Sequence, residues 1–104
     1  MQDGLNNYEI IVLNRAELEV DQIAEYYELI SDELGVRFYI EYRNYVETLK
    51  TLPFFKVKYN IIRTLPLKKF PYTIHFTVNE EEKTVVIQAV TSNHQDPNST
   101  RLKI

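Results

Sequence analysis

The side chains of this sequence that could bind or process an anion are concentrated between residues 56 and 78. This stretch contains no acidic side chain and five cationic ones, which are Lys56, Lys58, Arg63, Lys68 and Lys69. Clustered cations raise the local concentration of anions. We therefore predict that these residues contact an anionic partner or substrate.

Tyr72 and His75 extend the candidate site into a predicted strand, along which apolar and polar residues alternate. His75 lies on the polar side of the alternation and is expected to face solvent, either incidentally or as a functional group. Lys68 and Lys69, which lie between two prolines, are expected either to bind a ligand or to maintain solubility. Arg63 lies in an apolar strand, so it needs either a structural ion pair or a ligand or partner protein.

Length and composition restrict the class of protein. The 104 residues are enough for one domain, expected to span residues 1–104 with flexible ends at residues 1–7 and 98–104. No apolar run approaches the roughly 20 residues that span a bilayer, and the N-terminus lacks the pattern of a signal peptide, so a cytoplasmic protein is expected. The absence of cysteine excludes disulfides and thiolate chemistry. Because the two histidines are far apart and no glycine-rich phosphate loop is present, neither a metal nor an organic cofactor is predicted.

The charge is distributed unevenly along the chain. Residues 1–50 contain 11 acids and 4 bases, giving −7, whereas residues 51–104 contain 4 acids and 8 bases, giving +4. This asymmetry is typical of a protein with one cationic working face and one acidic solvated face. For the first half alone, the simpler interpretation is an acidic helix surface that maintains solubility.

Two helices are predicted in the first half of the chain. Asn14 and Glu17 have the spacing of a capping box at the start of the first helix, and Gly35 is expected to end that helix in a left-handed conformation. Pro53 is expected to stop the second helix. The predicted buried stripes consist of Val20, Ile23, Ala24, Tyr27, Ile30 and Leu34 in the first helix, and of Phe38, Tyr42, Tyr45, Leu49 and Leu52 in the second.

Strands are predicted before and after the two helices. The first is expected at residues 8–13, and the later strands are expected at residues 57–65, 72–79 and 84–91. We therefore predict an α+β fold that contains an N-terminal strand, an antiparallel helical hairpin and a three-stranded antiparallel meander. The helices should pack on one face of the sheet.

Six short segments occur in a recognisable order along the chain. They are Ile23-Ala-Glu-Tyr-Tyr27, Gly35-Val-Arg-Phe38, Ile62-Arg63, Lys69-Phe70-Pro71-Tyr72, Ile87-Gln-Ala-Val90 and Asp96-Pro97. This ordered set resembles the RelE/ParE superfamily of bacterial toxins, which includes plasmid stabilisation proteins. The resemblance covers residues 8–97, and the Phe-Pro-Tyr element with its upstream arginine is the most specific part.

The resemblance implies the toxin of a type II toxin-antitoxin pair, neutralised by a cognate antitoxin that covers its working surface. ParE-like members bind and poison DNA gyrase, whereas RelE-like members enter the ribosome and cleave mRNA, and the fold alone does not choose between them. Our leading hypothesis is a ParE-like toxin that acts by binding a macromolecular target such as gyrase. The alternatives are a RelE-like endoribonuclease and an inactive relic that only binds its antitoxin. For the oligomeric state, both a homo-oligomer and a toxin-antitoxin hetero-oligomer are compatible with the sequence.

RNA cleavage would require activation of a 2′-hydroxyl, protonation of a leaving oxygen and cations on the phosphate. The candidates for these roles are Arg63, Lys68, Lys69, Tyr72, His75 and His94, and no catalytic residue is assigned. RelE-like nucleases carry an arginine at the position of Thr73 in this chain. They also carry a basic residue in the region that corresponds to residues 92–95. A net charge of −3 is also unfavourable for approach to RNA. The sequence therefore favours binding over cleavage.

Overall fold

A mixed sheet and a helical hairpin make up the part of the chain that the computed structural model describes, residues 7–94. The elements in chain order are β1 (Glu9–Val12), α1 (Asn14–Ile30), α2 (Leu34–Thr48), β2 (Val57–Tyr59), β3 (Ile62–Pro66), β4 (Tyr72–Asn79) and β5 (Thr84–Ser92). Within these residues, neither helix has the length and apolar character that a membrane-spanning helix needs. The flexible ends expected at residues 1–7 and 98–104 fall almost entirely outside the described range and stay a prediction.

The strands form one sheet in the order β1-β5-β4-β3-β2. β1 pairs with β5 in parallel, and the other neighbours are antiparallel. The α+β class and the order of elements are therefore confirmed. The meander, however, has four strands rather than three, because the strand predicted at residues 57–65 is a hairpin. It turns at Asn60, whose φ of 49° is a left-handed conformation that asparagine tolerates better than most residues.

The boundaries of the helices also differ from those predicted. Leu13 is the N-cap of α1 and no side chain caps this end, so the capping box predicted for Asn14 and Glu17 is wrong. Gly35 does not end α1, because it lies in the first turn of α2 and its φ is negative. Its role is close packing: a Cβ atom at this position would lie 2.5 Å from the carbonyl oxygen of Ala24 in α1. Glycine therefore permits the two helices to approach each other.

The main core lies between the helices and one face of the sheet, where Phe38 of α2 is fully buried. Its ring centroid lies 5.4 Å from that of Phe70 and 5.7 Å from that of Tyr72, so α2 is joined to the β3–β4 turn and to β4. Both predicted stripes are interrupted at one position, because Ile30 and Leu52 are exposed. Ile30 is the last residue of α1, and Leu52 lies after the end of α2 at Thr48.

The opposite face of the sheet holds a smaller cluster of Ile62, Ala89 and the partly buried Tyr59. A bulge in β5 allows this arrangement. His75 pairs with Ala89 and the next residue, Phe76, pairs with Ile87, so one residue of β5 is left between the two pairs. The bulge increases the number of β5 side chains on this face of the sheet.

We expect Gly35→Ala to lower the free energy of unfolding by roughly 1–3 kcal/mol, because the added methyl group would separate the helices. The higher helix propensity of alanine, worth about 1 kcal/mol, would offset only part of this cost. Urea denaturation measures the change. Val36→Ala is the matched control, since Val36 is the next residue in α2 and is exposed, and its effect should stay within about 0.5 kcal/mol. A Gly35→Ala protein as stable as the wild type would contradict the packing role.

Candidate functional site

The predicted binding residues do not form one surface. Lys68 and Lys69 are exposed in the turn between β3 and β4, where Arg37 of α2 joins them to line a cleft of about 690 Å³. The backbone N–H of Lys69 donates a hydrogen bond to Oε2 of Glu41 on α2, with a distance of 2.9 Å. The carboxylate of Glu41 therefore holds the turn against the helix. This cleft places three cations and one acid close together.

Arg63 lies in β3 opposite Phe76 and therefore shares the helix-facing side of the sheet with this core residue. Its Nη1 donates a 2.6 Å hydrogen bond to the carbonyl oxygen of Phe55, and its guanidinium carbon lies 6.0 Å from the centroid of the Phe54 ring. No acidic side chain among the described residues forms a salt bridge with Arg63. Of the two alternatives for Arg63, the structural ion pair is not found within residues 7–94. Arg63 instead fixes the segment that follows α2.

Lys56 and Lys58 are exposed, and neither lines the cleft that contains Lys68 and Lys69. Lys56 precedes β2, and Lys58 is the middle residue of that strand, at the edge of the sheet. The structure thus assigns Lys56 and Lys58 to a different part of the surface. This arrangement separates two pairs of lysines that are close in sequence.

Tyr72 belongs to the core on the helix side of the sheet rather than to an open site. Its ring lies 5.7 Å from Phe38 and 6.2 Å from Tyr27, measured between centroids. It lies three residues before His75 in β4, and His75 lies on the opposite face. The structure therefore does not bring Tyr72 and His75 together.

His75 is buried, with 5% of its surface exposed, so the prediction that it faces solvent is wrong. Its Nδ1 is 2.8 Å from the hydroxyl oxygen of Tyr59, and its Nε2 is 2.8 Å from Oγ1 of Thr91. Burial lowers the pKa of His75 from an ordinary 6.5 to about 4, with a smaller contribution from the positive charge of Arg15. At neutral pH the ring is uncharged, and both of its nitrogens have a hydroxyl partner. The arrangement links β2, β4 and β5 on this face.

The sheet face opposite the helices has little of the chemistry that RNA cleavage requires. β1, β3, β4 and β5 contain one cationic side chain in total, Arg63, and it lies on the other side of the sheet. The face carries a neutral His75 and hydroxyl groups such as that of Thr91, which bonds His75. These strands place no cation for a phosphate on this face, and His75 there is not a protonated imidazolium at neutral pH.

His94 is exposed in the turn after β5, and its backbone N–H donates to Oγ of Ser92 over 3.1 Å. Asp96-Pro97, the last segment of the ordered set, lies outside the described residues. Within the described residues, the printed hydrogen bonds of the His75 ring go to Tyr59 and Thr91, and that of His94 goes to Ser92.

Arg37 and Glu41 are the cleft residues that sequence reasoning did not identify. They are four residues apart, which places them on one face of α2. The spacing alone resembles that of many solvated helix faces, because charged pairs at this separation are common. Only the docking of the β3–β4 turn onto α2 shows that these side chains meet Lys68 and Lys69.

Three solved structures share this fold. A chain of the chromosomal ParDE toxin-antitoxin system from P. aeruginosa superposes with a TM-score of 0.74 at 18% identity, over 84% of this chain and 97% of that one. A chain of the RelBE2 toxin-antitoxin complex from Mycobacterium tuberculosis superposes with a TM-score of 0.52 at 14% identity, over 86% of this chain and 94% of that one. A chain of the archaeal RelE-RelB complex from Pyrococcus horikoshii OT3 superposes with a TM-score of 0.55 at 10% identity, over 86% of this chain and 99% of that one.

No protein-family model and no curated protein sequence matches this chain. The likeness therefore lies in the tertiary structure: the chain has the fold of the RelE/ParE toxins, as the short sequence segments predicted. At these identities the likeness establishes the fold, and the function has to be argued from the site.

We expect acidification to destabilise the protein through His75. The folded-state pKa of about 4 is below the ordinary value of 6.5, so the stabilisation is complete above pH 6.5 and is lost as the pH falls toward 4. Between neutral pH and about pH 5 this loss amounts to roughly 2 kcal/mol. Urea unfolding at the two pH values measures it.

His75→Gln should reduce this dependence on pH, because glutamine does not titrate. His94→Gln is the matched control, since it removes an exposed histidine and should leave the dependence unchanged. Equal pH dependence in the wild type and the His75→Gln protein would show that His75 does not cause it.

Proposed function

We propose that this chain is the toxin of a type II toxin-antitoxin system, neutralised by a cognate antitoxin and acting by binding a macromolecular target such as DNA gyrase. The observation that most strongly supports this proposal is the fold. A chain from a ParDE toxin-antitoxin system aligns over 97% of its length with a TM-score of 0.74, compared with 0.52 and 0.55 for the chains from the two RelE-type complexes. The comparison supports a protein of this class and, within the class, favours the ParE-like alternative.

The composition of the sheet supports binding rather than cleavage. A nuclease needs positioned cations and proton carriers around the phosphate. In this protein Arg63 bonds the carbonyl of Phe55 on the helix side, and His75 is buried and neutral on the opposite side. These two candidate residues are thus separated by the sheet. A toxin that only binds its target needs no such constellation.

The apolar surface of the helices supports a partner that covers them. Leu29 of α1 is 85% exposed, and Tyr26 and Ile30 beside it are also exposed. On α2, Val36 and Ile40 are exposed one turn apart. Apolar surface of this extent favours a protein interface. An antitoxin segment that folds on binding would cover these apolar residues of α1 and α2, because such segments wrap large surfaces.

The first test is pulse induction of the chain alone in a bacterial host, with labelled thymidine and labelled methionine followed in parallel over the first minutes. Poisoning of gyrase should lower thymidine incorporation first, because replication stops before translation does. An early fall in methionine incorporation would instead support the RelE-like endoribonuclease, which the two RelE-type structures keep as the second candidate. Unchanged growth despite folded protein would support the inactive relic.

A series of Arg63→Ala, Lys69→Ala and His75→Ala proteins tests the mechanism in the same assay. A target-binding toxin should lose potency gradually, with most single changes costing less than about tenfold. A nuclease should lose roughly a hundredfold or more at one position. Because His75 is buried, circular dichroism of each variant is needed, and a folded but inactive His75→Ala protein would contradict the binding mechanism. Glu81→Ala, at an exposed residue in the turn between β4 and β5, is the control.

A further inference from the structure

The cleft between α2 and the β3–β4 turn has an excess of positive charge. Its lining contains three cations, Arg37, Lys68 and Lys69, and one carboxylate, Glu41, so its net charge is +2. None of the three cations forms a salt bridge with a described residue. The carboxylate already accepts a hydrogen bond from the backbone of Lys69. Positive charge in the cleft is therefore left for a ligand.

The cleft is also partly apolar. Leu34, Ile40 and the ring of Tyr45 contribute to its lining, and Ile40 is 53% exposed. The exposed Val36 lies one helical turn before Ile40 on α2 and extends the apolar surface beyond the cleft. A small inorganic anion would leave these side chains in water. A ligand that carries both carboxylates and apolar groups would satisfy both parts of the lining.

The backbone around Lys68 and Lys69 is held in place by contacts with α2. Phe70, the residue after Lys69, is buried against Phe38 with 5.4 Å between ring centroids. On the other side, the Glu41 carboxylate holds the backbone N–H of Lys69. The turn is therefore attached to α2 at two adjacent residues. Cations on a fixed turn lose less entropy on binding than cations on a free loop.

We propose that this cleft recognises an acidic amphipathic peptide segment of a partner protein. Carboxylates of the segment pair with Arg37, Lys68 and Lys69, and its apolar side chains cover Leu34 and Ile40. The cleft has a volume of about 690 Å³, and its α2 lining runs from Leu34 to Tyr45, which suits a peptide segment lying along the helix. The inference rests on the proposed function and deepens it, because Val36 and Ile40, which favour an antitoxin there, adjoin or line this cleft. Peptide binding is measured without toxicity, so the failure of one proposal is distinguishable from the failure of the other.

The test is selection of random 12-residue peptides displayed on phage against the full chain, followed by fluorescence anisotropy with the selected peptides. We expect enrichment of aspartate and glutamate interleaved with large apolar residues. The Lys68→Glu/Lys69→Glu double variant should bind these peptides at least roughly tenfold more weakly. Ile40→Ser should also weaken binding, which a purely electrostatic contact would not show.

Lys56→Glu/Lys58→Glu is the matched control, because it changes the net charge by the same amount at two exposed lysines outside the cleft. Its affinity should stay within about twofold of the wild type. Equal weakening by both double variants would overturn the proposal, as would selected peptides without acidic residues or the recovery of no binding peptide. A single-stranded oligouridylate that binds the cleft more tightly than the selected peptides would assign it to nucleic acid instead.

Discussion

The burial of Phe38 is the contact on which the other parts of this structure depend. Its ring is packed between Tyr27 of α1, Phe70 of the β3–β4 turn and Tyr72 of β4, with centroids 5.4–5.9 Å apart. Full burial of a phenylalanine stabilises a protein by roughly 2–3 kcal/mol, and suitably oriented aromatic pairs add to this. A single side chain thus connects both helices, the turn and the sheet.

This packing also explains how a core contact determines the geometry of a surface. Because Phe70 and Tyr72 are held by the core, the turn that precedes them is fixed beside α2. Lys68 and Lys69 then meet Arg37, which is about thirty residues away in sequence. The cationic cleft is therefore a consequence of aromatic packing below it, and it does not require any attraction among its own charges.

The two faces of the sheet have separate roles. One face packs against the helices, and Arg63 reaches from that side to the segment after α2. The other face contains the hydrogen-bonded group of His75, Tyr59 and Thr91, which joins three strands by polar contacts. Burial makes the charged form of His75 unfavourable, so the ring is uncharged at neutral pH and its two hydroxyl partners join the strands. This division supports the binding mechanism that we propose.

The sequence by itself determined the class of the fold and the order of its elements, because these depend on local periodicity: alternation near Tyr72 predicts a strand, and the spacing of Phe38 and Tyr42 predicts a helix. It also singled out Lys68 and Lys69, but it grouped them with Lys56 and Lys58, which lie outside the cleft. Only the tertiary structure decided that Gly35 serves helix packing, that Asn60 divides one predicted strand into two, and that His75 is buried. It also separated Arg63 from His75 and brought Arg37 to Lys68. The physical reason is that burial and proximity depend on which surfaces meet, and contacts between distant residues leave no periodic signal in the chain.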